Sequence, residues 1–361
     1  MKRLALNLLA AGLSIVVAVV AIELVMQAVD YPPDSFSPWI RAHDTGYRYA
    51  PSLETRMRRP GEFDVAFTTN SSGFRDDEVG RKSRLRVLML GDSFASGYGV
   101  ERDEMIATLL EEQLDVDVVN AGVGGYEIVH QVHFYQARGK TLDPDLVLYL
   151  LYLGNDISRN DEWKETADGG LVSIEREYPV RAPREIKLRS LYQQLRYNRR
   201  VRKEQAAGEW VPLPDYLPMC EKQPSAETER RYGRVETLLA RLRDEVRSSG
   251  ARLFVATFSY RTAVDRAAER AFAEKTPGFD DRYDLRIPER RVGTLLDRLD
   301  IDWANLNPTL RAHFETGGGP LYFPVDGHFN VAGNRLVADT LAPLLRQRLA
   351  DIRESSQPHG H

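Results

Sequence analysis

The chain has 361 residues, 42% of them hydrophobic and 28% charged, and a formal net charge of -4. This is an ordinary globular balance, enough for one large domain with insertions or two small ones, and it lacks the positive field that nucleic-acid partners require. A single cysteine, Cys220, excludes an internal disulfide and any cysteine-built zinc site, and no reactive motif surrounds it.

Met1-Lys2-Arg3 opens the chain, and no charge follows from Leu4 to Ile22. Roughly twenty apolar residues cross a bilayer core as a helix, so residues 1–29 are predicted to be a signal-anchor transmembrane helix. The alternative is a cleaved signal peptide, for which Val19-Val20-Ala21 is a weak site, and no Leu-x-x-Cys lipobox is present. Lys2 and Arg3 favour a cytoplasmic N-terminus. The rest of the chain then lies outside the inner membrane, periplasmic or extracellular, on a single-pass anchor.

Residues 30–82 read as a connector rich in Pro, Arg and Gly, with Tyr31-Pro32-Pro33-Asp34 as turn or extended chain. Phe63–Thr69 alternates like a short strand, and Asn70-Ser71-Ser72-Gly73-Phe74-Arg75-Asp76 follows as a turn. A small β appendage is predicted here. Arg75 is read as a clamp between appendage and core, with substrate contact as the alternative.

A domain over residues 83–350 shows β-α-β alternation. Apolar runs at Leu85–Leu90, Val116–Asn120, Leu146–Leu153, Leu253–Phe258 and Ile301–Trp303 predict strands buried on both faces. Helices are predicted at Glu104–Leu114, Ile128–Arg138, Glu227–Ser248, Glu289–Leu299 and Val331–Leu349. This is a doubly wound α/β sandwich. An insertion over 157–226 breaks the alternation and carries a basic cluster: Arg181, Arg184, Lys187, Arg189, Arg196, Arg199, Arg200, Arg202 and Lys203. Leu188, Leu191, Tyr192 and Leu195 recur there at helical spacing. A helix with one packed face and a solvated basic face is expected, with a cap for anionic polymer or lipid as the alternative. Residues 351–361 read as a disordered tail.

The chemistry concentrates in four short motifs, in order: Gly91-Asp92-Ser93, Asn120-Ala121-Gly122-Val123-Gly124-Gly125, Gly154-Asn155-Asp156 and Asp326-Gly327-His328. Ser93 follows an apolar strand, where open α/β sheets hold their ligands. A serine hydroxyl needs a base, and the base needs an orienting partner. His328 is the natural base, and Asp326 reaches its second nitrogen if the loop curls. The Ser93 amide, a glycine amide of the second motif and the Asn155 side-chain amide supply donors for a developing oxyanion. Asp92, Gly122 and Gly124 read as structural, the glycines for positive φ. Asp156 either orients Asn155 or caps a turn. Asn330 and Gly333 are expected to shape the loop into the last helix. His130 and His133 stand at i, i+3 with no third ligand, so they read as packing or surface residues. His43, His313, His359 and His361 have no chemical context.

These motifs resemble the SGNH (GDSL-type) hydrolase superfamily, in a bacterial membrane-anchored form. The resemblance runs over residues 84–345 apart from the insertion. It implies a three-layer α/β/α sandwich with a parallel, flavodoxin-like sheet. It implies Ser93 as nucleophile, His328 as base, Asp326 as the triad acid, and Ser93, Gly125 and Asn155 as the oxyanion hole. Many members place the Asp three residues before the His. The spacing of two here is similar to the alginate-type O-acetyltransferase branch. The reading is therefore a serine esterase acting on O-acyl groups, acetyl first, of cell-envelope saccharides, or on small esters, through an acyl-serine. An O-acyltransferase with the same triad is the alternative, partnered by a multi-spanning acyl-donor membrane protein. A non-catalytic carbohydrate-binding envelope protein is the second. No metal or organic cofactor is implied.

Overall fold

The computed structural model describes residues 2–29, 38–59, 61–174, 186–189, 191, 192, 195, 196, 199 and 216–356. These divide into two compact units. One holds residues 2–29 with the described residues of 186–199, and the other holds 38–174 and 216–356.

In the first unit, helix α1 (Lys2–Ala28) is long and apolar enough over Leu6–Ala28 to cross a membrane. Its one acidic residue, Glu23, accepts hydrogen bonds from the Lys187 and Leu188 amides, at 2.8 and 3.0 Å. Those are amide groups at the start of a helical turn, which have no partner within it. The expected packed apolar face is incomplete: Tyr192 and Leu195 are exposed, whereas Lys187 is buried. Arg181, Arg184, Arg200, Arg202 and Lys203 lie outside the described residues.

The second unit is built on a sheet. Its strands are β5 (Arg86–Gly91), β6 (Asp117–Asn120), β7 (Leu146–Tyr152), β10 (Arg252–Phe258) and β11 (Asp302–Asn305). All neighbours pair in parallel, in the order β11-β10-β7-β5-β6. β5 and β7 are buried at every position, as a sheet covered on both faces requires. Val87, Met89, Leu146, Leu148, Leu150, Phe254 and Ala256 share one core with helix α2 (Ile106–Leu114) and the last helix, Val331–Ser356. The alternate side chains point to the opposite face. There helix α3 (Ile128–Ala137) packs against α4 (Ala226–Ser248). The result is the expected α/β/α sandwich.

Several boundaries differ from expectation. The last helix runs to Ser356, so residues 351–356 are helical rather than tail; 357–361 lie outside the described residues. Helices at Arg266–Lys275 and Asn307–Glu315 had no apolar stripe to predict them. The first buries only Phe272, the second Asn307 and Leu310.

Three hairpins belong to the same unit as the sheet. β1 (Trp39–Ala42) pairs with β2 (Gly46–Tyr49), β3 (Glu54–Arg59) with β4 (Phe63–Thr68), and β8 (Trp163–Glu165) with β9 (Leu171–Ser173), all antiparallel. Arg75 ties the second hairpin to the loop after β5. Its guanidinium donates to the carbonyls of Ser96 (3.1 Å), Gly97, Ala66 (2.9 Å) and Val100 (2.7 Å), and it lies over the Phe67 ring. Burial lowers its pKa to about 10. At 1% exposure it is a clamp and not a substrate contact.

Removing the clamp leaves buried carbonyls unsatisfied. Arg75→Met is expected to lower unfolding free energy by about 3 kcal/mol or more. Urea denaturation monitored by circular dichroism reads this directly, and an unchanged midpoint would contradict the clamp.

Candidate active site

β5 pairs with β6 on one side and β7 on the other, so the strand order reverses at β5. Ligands of open α/β sheets bind outside the carboxyl ends of strands at such a switch point. Gly91 ends β5, and the next two residues are Asp92 and Ser93. A Cβ at Gly91 would come within 2.6 Å of the Ala95 Cβ and 3.1 Å of the Leu150 carbonyl, so only glycine fits the exit from the strand. Asp92 then accepts the Phe94 amide through Oδ1 at 2.9 Å, turning the chain and leaving Ser93 half-buried.

The loop before the last helix brings His328 onto Ser93. Ser93 Oγ and His328 Nε2 are 2.7 Å apart. On the far side of the ring, Nδ1 bonds Asp326 Oδ1. That bond sets the tautomer: Nδ1 carries the proton, and Nε2 is left as acceptor for the serine hydroxyl. The two-residue spacing suffices because Gly327 takes φ +86° and curls the loop. Asn330 Oδ1 accepts the Gly333 amide at 3.0 Å and opens the final helix, as expected. The imidazole rests between Phe94 and Tyr98, with ring centroids at 4.8 and 4.5 Å.

Burial acts to raise the Asp326 pKa. The adjacent His328 and then Arg59 outweigh it and hold the carboxyl below its ordinary value.

The loop after β6 approaches from the other side. A Cβ on Gly124 would lie 3.8 Å from the Ser93 Cβ. Asn155 donates through Nδ2 to the Tyr126 carbonyl at 3.3 Å and to Asp156 Oδ1 at 3.2 Å, both long. Ser93, Gly125 and Asn155 are each half-buried in otherwise buried runs. The Gly124 amide is already engaged by the Tyr49 hydroxyl at 2.7 Å. Positive φ falls on Gly125, at +82°, and not on Gly122 or Gly124. Gly122 is required by close approach instead, since a Cβ there would meet the Ser96 amide at 2.6 Å.

The sequence matches the GDSL-like lipase/acylhydrolase family over residues 89–336. The chain belongs to this family. It is an esterase family, and the matched span contains all four motifs. Among solved structures, an acetyl xylan esterase, AlAXEase, is 14% identical with TM-score 0.43, covering 72% of this chain and 100% of that one. A two-domain esterase active on acetylated mannans is 14% identical with TM-score 0.41, covering 77% of this chain and 52% of that one. A lipolytic protein of the G-D-S-L family from Desulfitobacterium hafniense is 10% identical with TM-score 0.37, covering 72% and 98%. No curated relative matches the chain.

Beneath the site of this GDSL-family chain lie two buried carboxyl groups, Asp92 and Asp156, and a half-buried one, Asp76. Asp156 both orients Asn155 and accepts the Tyr149 hydroxyl (2.9 Å) and the Tyr152 amide (3.1 Å) through Oδ2. Burial, then the Asp92 charge, pushes its pKa far up. Burial likewise raises Asp92 to about 6, against the opposing pull of the Phe94 amide, His328 and Arg159. Asp76 holds the Asn120 amide at 2.8 Å, and burial raises it to about 7.

His130, His133 and the cysteine take packing roles. His130 is buried and stacked on Tyr126, and His133 lies 3.5 Å from Glu165. Cys220 is buried, which pushes its thiol pKa up. Arg59, Glu62 and Tyr98, all packed around the Asp326–His328 pair, had no motif to reveal them.

Asp76 provides a pH test. Its native pKa of about 7 lies above the ordinary aspartate value of 3.8. Between the two the native state binds more protons than the unfolded chain, so stability falls as pH rises. Asp76→Asn keeps an acceptor for the Asn120 amide and removes this slope. Relative to wild type, the variant should gain on the order of 1–3 kcal/mol between pH 4 and 7. Urea midpoints at several pH values check this, and parallel curves for the two proteins would refute it.

Proposed function

We propose that this protein is a serine esterase that removes O-acyl groups, acetyl first, from cell-envelope saccharides. The single observation that carries the acyl chemistry is the 2.7 Å contact of Ser93 Oγ with His328 Nε2, backed by Nδ1 on Asp326. Ser93 Oγ attacks the ester carbonyl carbon as its proton passes to Nε2. The tetrahedral oxyanion is met by the Ser93 and Gly125 amides and the Asn155 side chain. Its collapse expels the alcohol, which takes the proton from Nε2. Water then attacks the acyl-serine with His328 again as base, and the acid leaves. No metal or cofactor enters these steps.

The saccharide part of the reading rests on two features. Leu6–Ala28 is suited to a single-pass anchor with the catalytic unit on the periplasmic or outer side. The half-buried Trp39 ring lies 3.7 Å from where a Cβ on Gly124 would stand, a point 3.8 Å from the Ser93 Cβ, so an aromatic ring of the kind that stacks on sugars is near the candidate nucleophile. The two-residue Asp326–His328 spacing favours a second reading, in which a sugar hydroxyl replaces water and the product is a new ester.

Hydrolysis of a short acyl ester tests the proposal. Ser93→Ala and His328→Ala should each lose several orders of magnitude in kcat. Asn155→Ala should lose about 10²–10³-fold. Full activity in Ser93→Ala would sink the serine mechanism. A burst in wild type that an added sugar relieves would replace hydrolase with transferase.

A further inference from the structure

The β3–β4 hairpin delivers two side chains to the loop that carries Asp326. Arg59 and Glu62 stand at the two corners of its turn, where the Glu62 amide donates to the Arg59 carbonyl at 3.0 Å. Arg59 Nη2 lies 2.7 Å from Asp326 Oδ2, the oxygen that His328 does not use. Glu62 accepts the Val325 amide at 2.7 Å and the Asp326 amide at 3.0 Å. Arg59 Nε and Glu62 Oε2 are 3.6 Å apart, which closes the cluster. Glu62 and Asp326 are each 3% exposed. Phe63, next along the hairpin, packs on Phe323 and on Tyr98, and Tyr98 covers the His328 ring.

We propose that Arg59 and Glu62 are positioning residues that hold Asp326 in register with His328, so that the appendage completes the catalytic relay. This rests on the reading of Ser93, His328 and Asp326 as that relay. The physical need is clear. A carboxylate this buried is costly unless paired, and a general base in its working form brings no countercharge. Arg59 supplies the countercharge and pins one oxygen, leaving the other for Nδ1–H. Glu62 pins the backbone on which the carboxylate stands. The neighbouring arginines of β3 do something else: Arg56 and Arg58 both pair with Asp64 at the exposed surface.

The test uses the full-length protein and p-nitrophenyl acetate. Arg59→Gln should lower kcat about 10–100-fold with KM changed less than about 3-fold. Arg59→Lys should return kcat toward wild type, and Arg58→Gln should leave both parameters alone. Glu62→Ala should lose kcat more than Glu62→Gln, which keeps an acceptor for the amides. That pair carries the test if Arg59→Gln does not fold. Wild-type kcat in folded Arg59→Gln, or in Glu62→Ala, overturns the inference. Ser93→Ala separates the two failures: if it is inactive while the hairpin variants behave as wild type, only the positioning role falls. If it is as active as wild type, the relay itself falls.

Discussion

The hydrogen bond between Ser93 Oγ and His328 Nε2 joins residues 235 positions apart, and its 2.7 Å length depends on where two loop ends are held. One end is rigid by construction. Ser93 is two residues beyond β5, a strand buried at every position, and Gly91 lets the chain turn against Ala95 and Leu150 with no room for a side chain. The other end is a loop with little regular structure of its own. Its position is borrowed from Gly327's left-handed turn, from the Asn330 cap of the final helix, and from the hairpin that reaches it from residues 59–62.

The hairpins of the appendage are tied to the loops that carry Ser93, Gly124 and Asp326. Arg75 locks the β3–β4 hairpin to the loop after β5 through backbone carbonyls on both sides. Tyr49, from the β1–β2 hairpin, donates to Ser96 Oγ and accepts the Gly124 amide, so one phenol spans the Ser93 loop and the glycine loop. These contacts are mostly side chain to backbone. They fix loop geometry more firmly than contacts between two flexible side chains, because one partner has no rotamer freedom to lose.

Electrostatics under the site runs the other way from its surface. Asp92, Asp156 and Asp76 are kept in surroundings that disfavour their charge. Asp326 alone among these carboxyl groups is held below its ordinary value, by His328 and Arg59. The layer thus concentrates anionic charge at the one carboxylate that touches the imidazole. Folding tolerates the buried carboxyls because amides and a tyrosine hydroxyl satisfy them, such as Tyr149 on Asp156 and the Asn120 amide on Asp76.

Local pattern was enough to read the α/β architecture, since fully buried parallel strands appear as unbroken apolar runs and their covering helices as amphipathic ones. It also marked Ser93, His328 and Asp326 as candidates, because each sits in a short motif, and the folded chain brings the three within hydrogen-bond reach of one another. It was not enough to place Arg59 or Glu62. Nothing nearby distinguishes Arg59 from Arg56 and Arg58, which pair with Asp64, and the difference arises only when the hairpin meets a loop more than 260 residues away. The glycine loop shows the same division. Composition marked it as special, but whether Gly122 answered a torsion or a clash depended on Ser96 across the cleft. Sequence alone thus determined the α/β fold, the candidate residues and the strands that lead to them. Tertiary structure decided how the carboxylate is held and charged, because burial and long-range pairing exist only once distant segments share one low-dielectric space.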